Sequence, residues 1–106
     1  MKPINESIIK VSEIIKSLGH PVRIQILNLL SNKKNAKMSV KEIQESLGLT
    51  QPETSRHLII IKNGSVIQYE KHGNSSYYFI NVSHSFVSCI SICVNKFTGQ
   101  NRISAK

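Results

Sequence analysis

The middle of the chain places the tightest constraint on the fold. Ser39 and Glu42 form an S-x-x-E capping box, which opens a short helix, and Gly48 is suited to the left-handed position that ends one. Two residues later, Thr50 and Glu53 repeat the capping-box spacing at the start of another helix. Two short helices joined by a glycine-containing turn predict a helix-turn-helix. Alone this pattern is weak, because helix pairs of this kind are common in all-helical proteins.

The sequence after this helix pair changes to a pattern typical of β-strands. The runs SVIQYEK (65–71) and SSYYFIN (75–81) are separated by HGN, a short glycine-containing connection that is typical of a hairpin. A hairpin that follows the second helix of a helix-turn-helix forms a winged helix. This combination is much more specific than either part.

Helical periodicity returns on both sides of this segment. A first amphipathic helix is predicted from the spacing of Ile4, Ile8, Val11, Ile15 and Leu18. A second helix begins at Pro21 and is apolar on nearly every side. The last helix carries one apolar stripe, formed by Val82, Phe86, Cys89, Ile90, Cys93 and Phe97, and the tail GQNRISAK is expected to be frayed. We therefore expect one winged-helix domain over residues 1–106, mainly α with a β-hairpin wing, in the order α-α-α-α-β-β-α.

The charge balance limits the kinds of partner. The 106 residues include 14 Lys+Arg and 6 acidic residues, none of them Asp, for a formal net charge of +8. This excess favours a polyanion, nucleic acid first and an anionic membrane second. The longest apolar runs are too short to cross a membrane, and no secretory signal is apparent, so a cytoplasmic protein with no membrane partner is expected.

Three stretches together resemble the arsenic-repressor-like (ArsR/SmtB) winged-helix transcriptional regulators. They are LGHPVRIQILNLL from Leu18, LTQPETSRHL from Leu49 and GNSSYYFI from Gly73, and with their spacing they cover roughly residues 8–95. The resemblance implies a cytoplasmic homodimer that represses transcription, with the first and last helices forming the dimer interface. Many members of the family release DNA on sensing a metal ion or an oxidant.

The chain also departs from the family pattern. It reaches Gly64 one residue sooner than usual, and Ile59 stands where the family often has lysine. The stretch SVKEIQESL (39–47) contains no Cys or His, unlike the corresponding helix of arsenic, cadmium and lead sensors. A chain without Asp cannot present the paired Asp, His and Glu ligands of the zinc sensors. The resemblance therefore supports DNA binding well and metal sensing poorly.

The second helix of the pair is predicted to contact DNA. Its residues Thr54, Leu58 and Ile61 fall on one side and are expected to anchor it to the core. Arg56 can donate bidentately to guanine and Gln51 can pair with adenine in a major groove. The candidate DNA-binding residues of this helix are Thr50, Gln51, Pro52, Glu53, Thr54, Ser55, Arg56 and His57. The plainer alternative is an ordinary solvated helix face.

Ser55 and His57 do not form a catalytic pair. Side chains two residues apart on a helix point about 200° apart, so they cannot act together as nucleophile and base. The sequence also offers no acidic residue to orient His57, no loop that could cradle a phosphate and no cluster of metal ligands. We therefore expect no enzymatic activity.

The hairpin tip and one loop supply further candidate contacts with the DNA backbone. The tip contributes Lys71, His72, Gly73, Asn74 and Ser75, of which Lys71 would position the protein rather than read sequence. The loop SNKKNAK contributes Lys33, Lys34 and Lys37. Either segment could instead be an ordinary solvated surface.

Cys89 and Cys93 allow three interpretations. They could be small hydrophobic residues on the apolar stripe, which is common for free cysteine. They could form a redox switch, in which a bridge between two chains is easier than one within a helix. They could also form a soft-metal site, although His84 lies on a different face and weakens a three-ligand version. No cofactor is expected in the first two cases.

Taken together, these features predict a homodimeric repressor that binds double-stranded DNA at an inverted-repeat operator. An RNA- or protein-interaction module on the same scaffold is the alternative, since fold does not fix function.

Overall fold

A computed structural model describes residues 2–32, 37–82 and 84–104, with their side chains except at 84 and 98–104. The elements in this part of the chain are α1 (Glu6–Ser17), α2 (Pro21–Ser31), β1 (Met38–Ser39), α3 (Val40–Leu47), α4 (Gln51–Asn63), β2 (Ile67–His72), β3 (Ser75–Ile80) and α5 (His84–Ser104). The predicted winged helix-turn-helix is confirmed, because α3 and α4 are followed directly by the β2–β3 hairpin.

The short strand β1 is the difference from the predicted order of elements. Met38 lies opposite Tyr78 and Ser39 opposite Tyr77, so β1 pairs antiparallel with β3 and completes a sheet in the order β1-β3-β2. Two residues are too few to show the alternation that identifies a strand in a sequence. Only pairing with a strand about forty positions away along the chain makes them one.

The two helices of the helix-turn-helix begin and end as predicted. Ser39 Oγ accepts from the Glu42 N–H at 3.1 Å, and the Glu42 carboxylate accepts from the Ser39 N–H at 2.9 Å. Thr50 Oγ1 likewise accepts from the Glu53 N–H at 3.3 Å, but the Glu53 carboxylate accepts from the Thr50 hydroxyl, at 3.0 Å. Gly48 ends α3 with φ +67°, the left-handed conformation that glycine adopts without steric cost.

The hydrophobic core lies where α2, α3 and α4 meet the sheet. Its buried members are Leu18, Ile26, Leu27, Leu30, Met38, Ile43, Leu58, Ile61, Val66 and Ile67. Burying one large aliphatic side chain contributes about 1.5–3 kcal/mol. The core therefore confirms the central place predicted for α2 and holds α4 in one orientation.

The apolar sides of α1 and α5 remain exposed in the single chain. On α1, Ile8 and Ile15 are 62 % and 57 % exposed; on α5, Ile92 and Phe97 are 65 % and 68 % exposed. Isolated apolar residues are common on protein surfaces, but a row along a helix indicates a surface that another element covers.

The predicted apolar stripe of the last helix divides into two parts. Phe86 and Ile90 pack against the core, whereas Cys89 and Cys93 are exposed. The helix also continues to Ser104, so the prediction that the chain is frayed from residue 99 is wrong up to that point; residues 105 and 106 lie outside the described residues. One glycine within a helix costs only about 1 kcal/mol, so the glycine at position 99 is not enough to end α5.

The end of α4 and the end of α1 approach closely at Gly64. A methyl group added to Gly64 would overlap the side chain of Ser17, which is buried and donates to the Ile14 carbonyl at 2.7 Å. We therefore expect Gly64→Ala to lower the free energy of unfolding by about 1–3 kcal/mol through overpacking. Urea unfolding followed by circular dichroism measures the change.

The double variant with Ser17→Gly provides the control for this prediction. Removing the Ser17 side chain creates room for the new methyl group, so adding Gly64→Ala to Ser17→Gly should cost much less than adding it to the original protein. If Gly64→Ala alone leaves the urea midpoint unchanged, the close packing described here is wrong.

Candidate nucleic-acid interface

Helix α4 buries one side and presents a polar edge on the other. Leu58, Ile61 and Thr54 are each 0 % exposed, which confirms the predicted anchor. Among the residues predicted to contact DNA, four are exposed: Thr50, Gln51, Pro52 and Arg56. Three others are half-buried: Glu53, Ser55 and His57. An α-helix fits the major groove of B-DNA and presents the side chains of its first turns to base edges. The exposed edge of α4 has the shape and the residue types for this role.

Thr54 does not belong to that edge. Its side chain is fully buried and its hydroxyl donates to the Thr50 carbonyl at 2.9 Å. The prediction that Thr54 contacts DNA is therefore wrong, while the prediction that it anchors the helix is right. Periodicity had already placed it with Leu58 and Ile61, and burial decides between the two roles.

His57 lies against the residue that begins α2. Its ring centroid is 4.7 Å from that of His20, the residue that caps α2 by accepting from the Val22 N–H at 3.1 Å. Burial lowers the pKa of His57, and the neighbouring charges of His20, Arg23 and Arg56 lower it further, against a smaller opposite effect of Glu53. Sequence reasoning missed this contact, because nothing in the local pattern indicates which residues of α2 face α4.

The wing is a tight hairpin whose predicted residues are all exposed. Strands β2 and β3 pair from Ile67 opposite Ile80 to His72 opposite Ser75, which leaves Gly73 and Asn74 as the turn. Gly73 has φ +64°, a conformation that glycine adopts readily. Lys71 through Ser75 thus form a polar tip that a sugar-phosphate backbone can approach.

Glu70, on β2 of the wing, binds Lys37, the residue just before β1. Its carboxylate accepts from Lys37 Nζ, and His72 Nε2 lies 3.0 Å from the same oxygen. Both hydrogen bonds lower the pKa of Glu70, and the one with His72 has the larger effect. Lys37 and His72, both predicted as DNA contacts, therefore have a carboxylate partner in the free protein, and Lys33 and Lys34 lie outside the described residues.

This network predicts a local acid transition in the wing. Because the pKa of Glu70 lies below its ordinary value of 4.5, the stabilisation is present above that pH and is lost as the pH falls through the lowered pKa. We expect the ring resonances of His72 to shift in a step with a midpoint below 4.5, measured by NMR. Glu70→Gln should abolish the step, and a midpoint at or above 4.5 would contradict the network.

The two cysteines lie on the outer side of α5. Cys89 and Cys93 are both free and exposed, so neither is a small hydrophobic residue of this chain's own core. Within the described residues, no three His, Cys, Asp or Glu side chains are grouped so that they could hold a metal ion. The side chain of His84, the third ligand considered, lies outside the described residues.

Comparison with known proteins shows what the chain is similar to. Residues 20–68 match the family described as bacterial regulatory protein, arsR family. An uncharacterised HTH-type transcriptional regulator of Methanocaldococcus jannaschii, MJ1325, is 38 % identical over 71 residues, which are 67 % of this chain and 78 % of that protein.

Two further proteins resemble the chain in sequence or in fold. The transcriptional repressor PagR of Bacillus anthracis is 34 % identical over 66 % of this chain and 68 % of its own length. Its crystal structure superposes with a TM-score of 0.71 over 82 % of this chain and 95 % of that one. The homodimeric winged helix-turn-helix DNA-binding domain of Mb0332 from Mycobacterium bovis superposes with a TM-score of 0.73 over 91 % and 92 %, at 20 % identity, and shows the same fold.

Proposed function

This chain belongs to the arsR family of bacterial regulatory proteins, a family of transcriptional regulators rather than enzymes, and we propose that it is a homodimeric repressor of transcription. The observation that carries the proposal is the arrangement of α4. Three fully buried side chains hold the helix, and its exposed edge presents Gln51 and Arg56 beside a polar wing. In this arrangement α4 enters the major groove and the wing follows the flanking backbone.

The exposed apolar sides of α1 and α5 support the dimer. The rows that include Ile8, Ile15, Ile92 and Phe97 lie on the first and last helices, and a second copy of the chain would bury both rows at once. The Mb0332 domain is homodimeric, and its fold is the fold of this chain. Burial of apolar area is the main driving force of such association.

A twofold dimer predicts the form of the operator. Two recognition helices related by a twofold axis contact two half-sites in inverted orientation, about one helical turn (~10 bp) apart or a multiple of it. The net charge of +8 supports attraction to any DNA, while base contacts from α4 select the operator. A repressor acts on chromosomal DNA, which in bacteria lies in the cytoplasm. Within the described residues, no helix has the length and apolar character needed to span a membrane.

Selection of DNA sequences from a random pool tests the proposal. The selected duplex should bind at least about a thousandfold more tightly than random duplex or RNA at physiological salt, and it should contain an inverted repeat. Equal affinity for all three nucleic acids would mean binding by charge alone. Preference for RNA, or capture of no nucleic acid, would instead indicate an interaction module on the same scaffold.

The exposure of Cys89 and Cys93 favours a thiol-responsive version of this repressor as a second candidate. On the proposed dimer surface, one thiol from each chain could be oxidised by peroxide to a disulfide, with release of two water molecules, or thiolates of both chains could bind a soft metal. Operator affinity is measured with and without peroxide, zinc or copper, for the original protein and for Cys89→Ser/Cys93→Ser. A response lost in the variant supports sensing by these thiols, and an unchanged affinity of the original protein overturns it.

A further inference from the structure

Four basic side chains converge where the start of α2 meets the middle of α4. The rings of His20 and His57 are in contact, and the charges of Arg23 and Arg56 act on His57 together with that of His20. Glu53 is the acidic side chain that acts on His57 within the described residues. The cluster therefore has an excess of positive charge at the edge of the helix proposed to read DNA.

This convergence is unfavourable in the free protein. Like charges repel at short range, and Arg23 Nε and His57 Nδ1 are buried without a hydrogen-bond partner among the described residues. An unsatisfied buried polar atom costs about 1–3 kcal/mol. The lowered pKa of His57, caused by burial first and by its basic neighbours second, reflects the same crowding. An anion placed against the cluster would reduce the repulsion.

The imidazole of His20 can donate a hydrogen bond to such an anion. Its Nδ1 accepts from the Val22 N–H, so the ring proton of neutral His20 must lie on Nε2. His20 is exposed and Arg23 is half-buried, so neither residue as a whole is closed to solvent. A guanidinium with several N–H donors beside an imidazole N–H suits a phosphate group.

We propose that His20, Arg23 and His57 bind one backbone phosphate of the DNA, next to the groove that α4 enters. The proposal rests on the proposed function and adds a contact from α2 to those of α4 and the wing. Such a contact positions α4 in the groove and does not read sequence. The phosphate also favours the charged form of His57, so DNA binding takes up a proton and becomes tighter as the pH falls toward the lowered pKa of His57.

Salt dependence of DNA binding tests the contact. Arg23→Gln should weaken binding to the selected and the random duplex by the same factor and reduce the slope of log affinity against log salt by about 0.9 per protomer, which is about 1.8 for the dimer. Lys10→Gln, which removes one charge from exposed α1 outside the cluster, is the matched control and should leave the slope closer to that of the original protein. An unchanged slope for Arg23→Gln overturns the proposal.

The pH dependence of the same affinities gives an independent readout. His57→Gln should flatten the rise in affinity as the pH falls, which reaches at most about tenfold per pH unit for each His57 of the dimer that takes up a proton. His20→Asn removes the imidazole but keeps a side chain that can cap α2. A loss of DNA affinity in this variant therefore reflects the missing phosphate donor and not a missing helix cap. Melting curves by circular dichroism confirm that each variant is folded.

The two proposals fail in different ways. If the original protein does not prefer a selected duplex, the proposed function fails, whatever Arg23→Gln does. If it does prefer that duplex while the Arg23 and His57 variants keep the original salt slope and pH dependence, only the phosphate site is wrong.

Discussion

Leu58→Ala is expected to lower the free energy of unfolding by about 2–5 kcal/mol. Leu58 is 0 % exposed in the core between α4 and α2, and the substitution removes buried apolar area and leaves a cavity. Because α4 is held by only a few buried side chains, the loss should also weaken DNA binding at temperatures where the variant is still folded. Urea unfolding at a fixed protein concentration measures the change, since the stability of a dimer depends on concentration.

The neighbouring residue provides a matched control. Ile59 has the same number of carbon atoms as Leu58 and is 53 % exposed, so Ile59→Ala should change the free energy of unfolding by only about 0.5 kcal/mol or less. Similar losses for the two variants would mean that Ile59 is buried in the assembled protein, and that the orientation of α4 relative to the core and the partner differs from the one described.

Arg56→Ala is expected to weaken binding to the selected duplex by about 1–3 kcal/mol for each half-site, a loss of roughly fivefold to 150-fold in affinity per half-site. Arg56 lies on the exposed edge of α4 that is proposed to enter the major groove, where a guanidinium can donate two hydrogen bonds to one guanine. The variant should also tolerate other bases at one position of each half-site. Fluorescence anisotropy with a set of single-base operator variants measures both effects.

Lys71→Ala separates base contact from backbone contact. Lys71 lies at the tip of the wing, so its loss should weaken binding about equally for every duplex and leave the base preferences unchanged. If Arg56→Ala behaves in the same way as Lys71→Ala, then Arg56 contacts a phosphate and another residue of α4 reads the sequence.

The exposed isoleucines of α4 have no structural explanation within the single chain. Ile59 and Ile60 are 53 % and 41 % exposed, as their positions on the helix predict. Further along the same helix, Lys62 Nζ lies 5.0 Å from the ring centroid of Tyr69. This contact places a positive charge near the end of α4 although Ile59 replaces the lysine often found in the family.

The sequence by itself determined the local elements and their order, apart from β1. These elements are set by hydrogen bonds and contacts within a few residues. They include the caps formed by Ser39 and Thr50, the turns at the glycines of positions 48 and 73, and the hydrophobic spacing typical of helices and of strands. Such short-range interactions can be recognised in a sequence, because the partners lie at fixed spacings. For the same reason the exposed edge of α4 was predictable, except for Thr54, whose side chain is both polar and on the buried side.

Only the tertiary structure decided which distant residues meet. Four contacts join residues that are far apart in the chain. They are the pairing of β1 with β3, the contact of His20 with His57, the ion pair of Lys37 with Glu70 and the close approach of Gly64 to Ser17. No spacing rule encodes these contacts, since they depend on how whole elements pack around a shared core. The same packing leaves the apolar sides of α1 and α5 exposed, so the surface proposed for the dimer follows from the fold and not from periodicity alone.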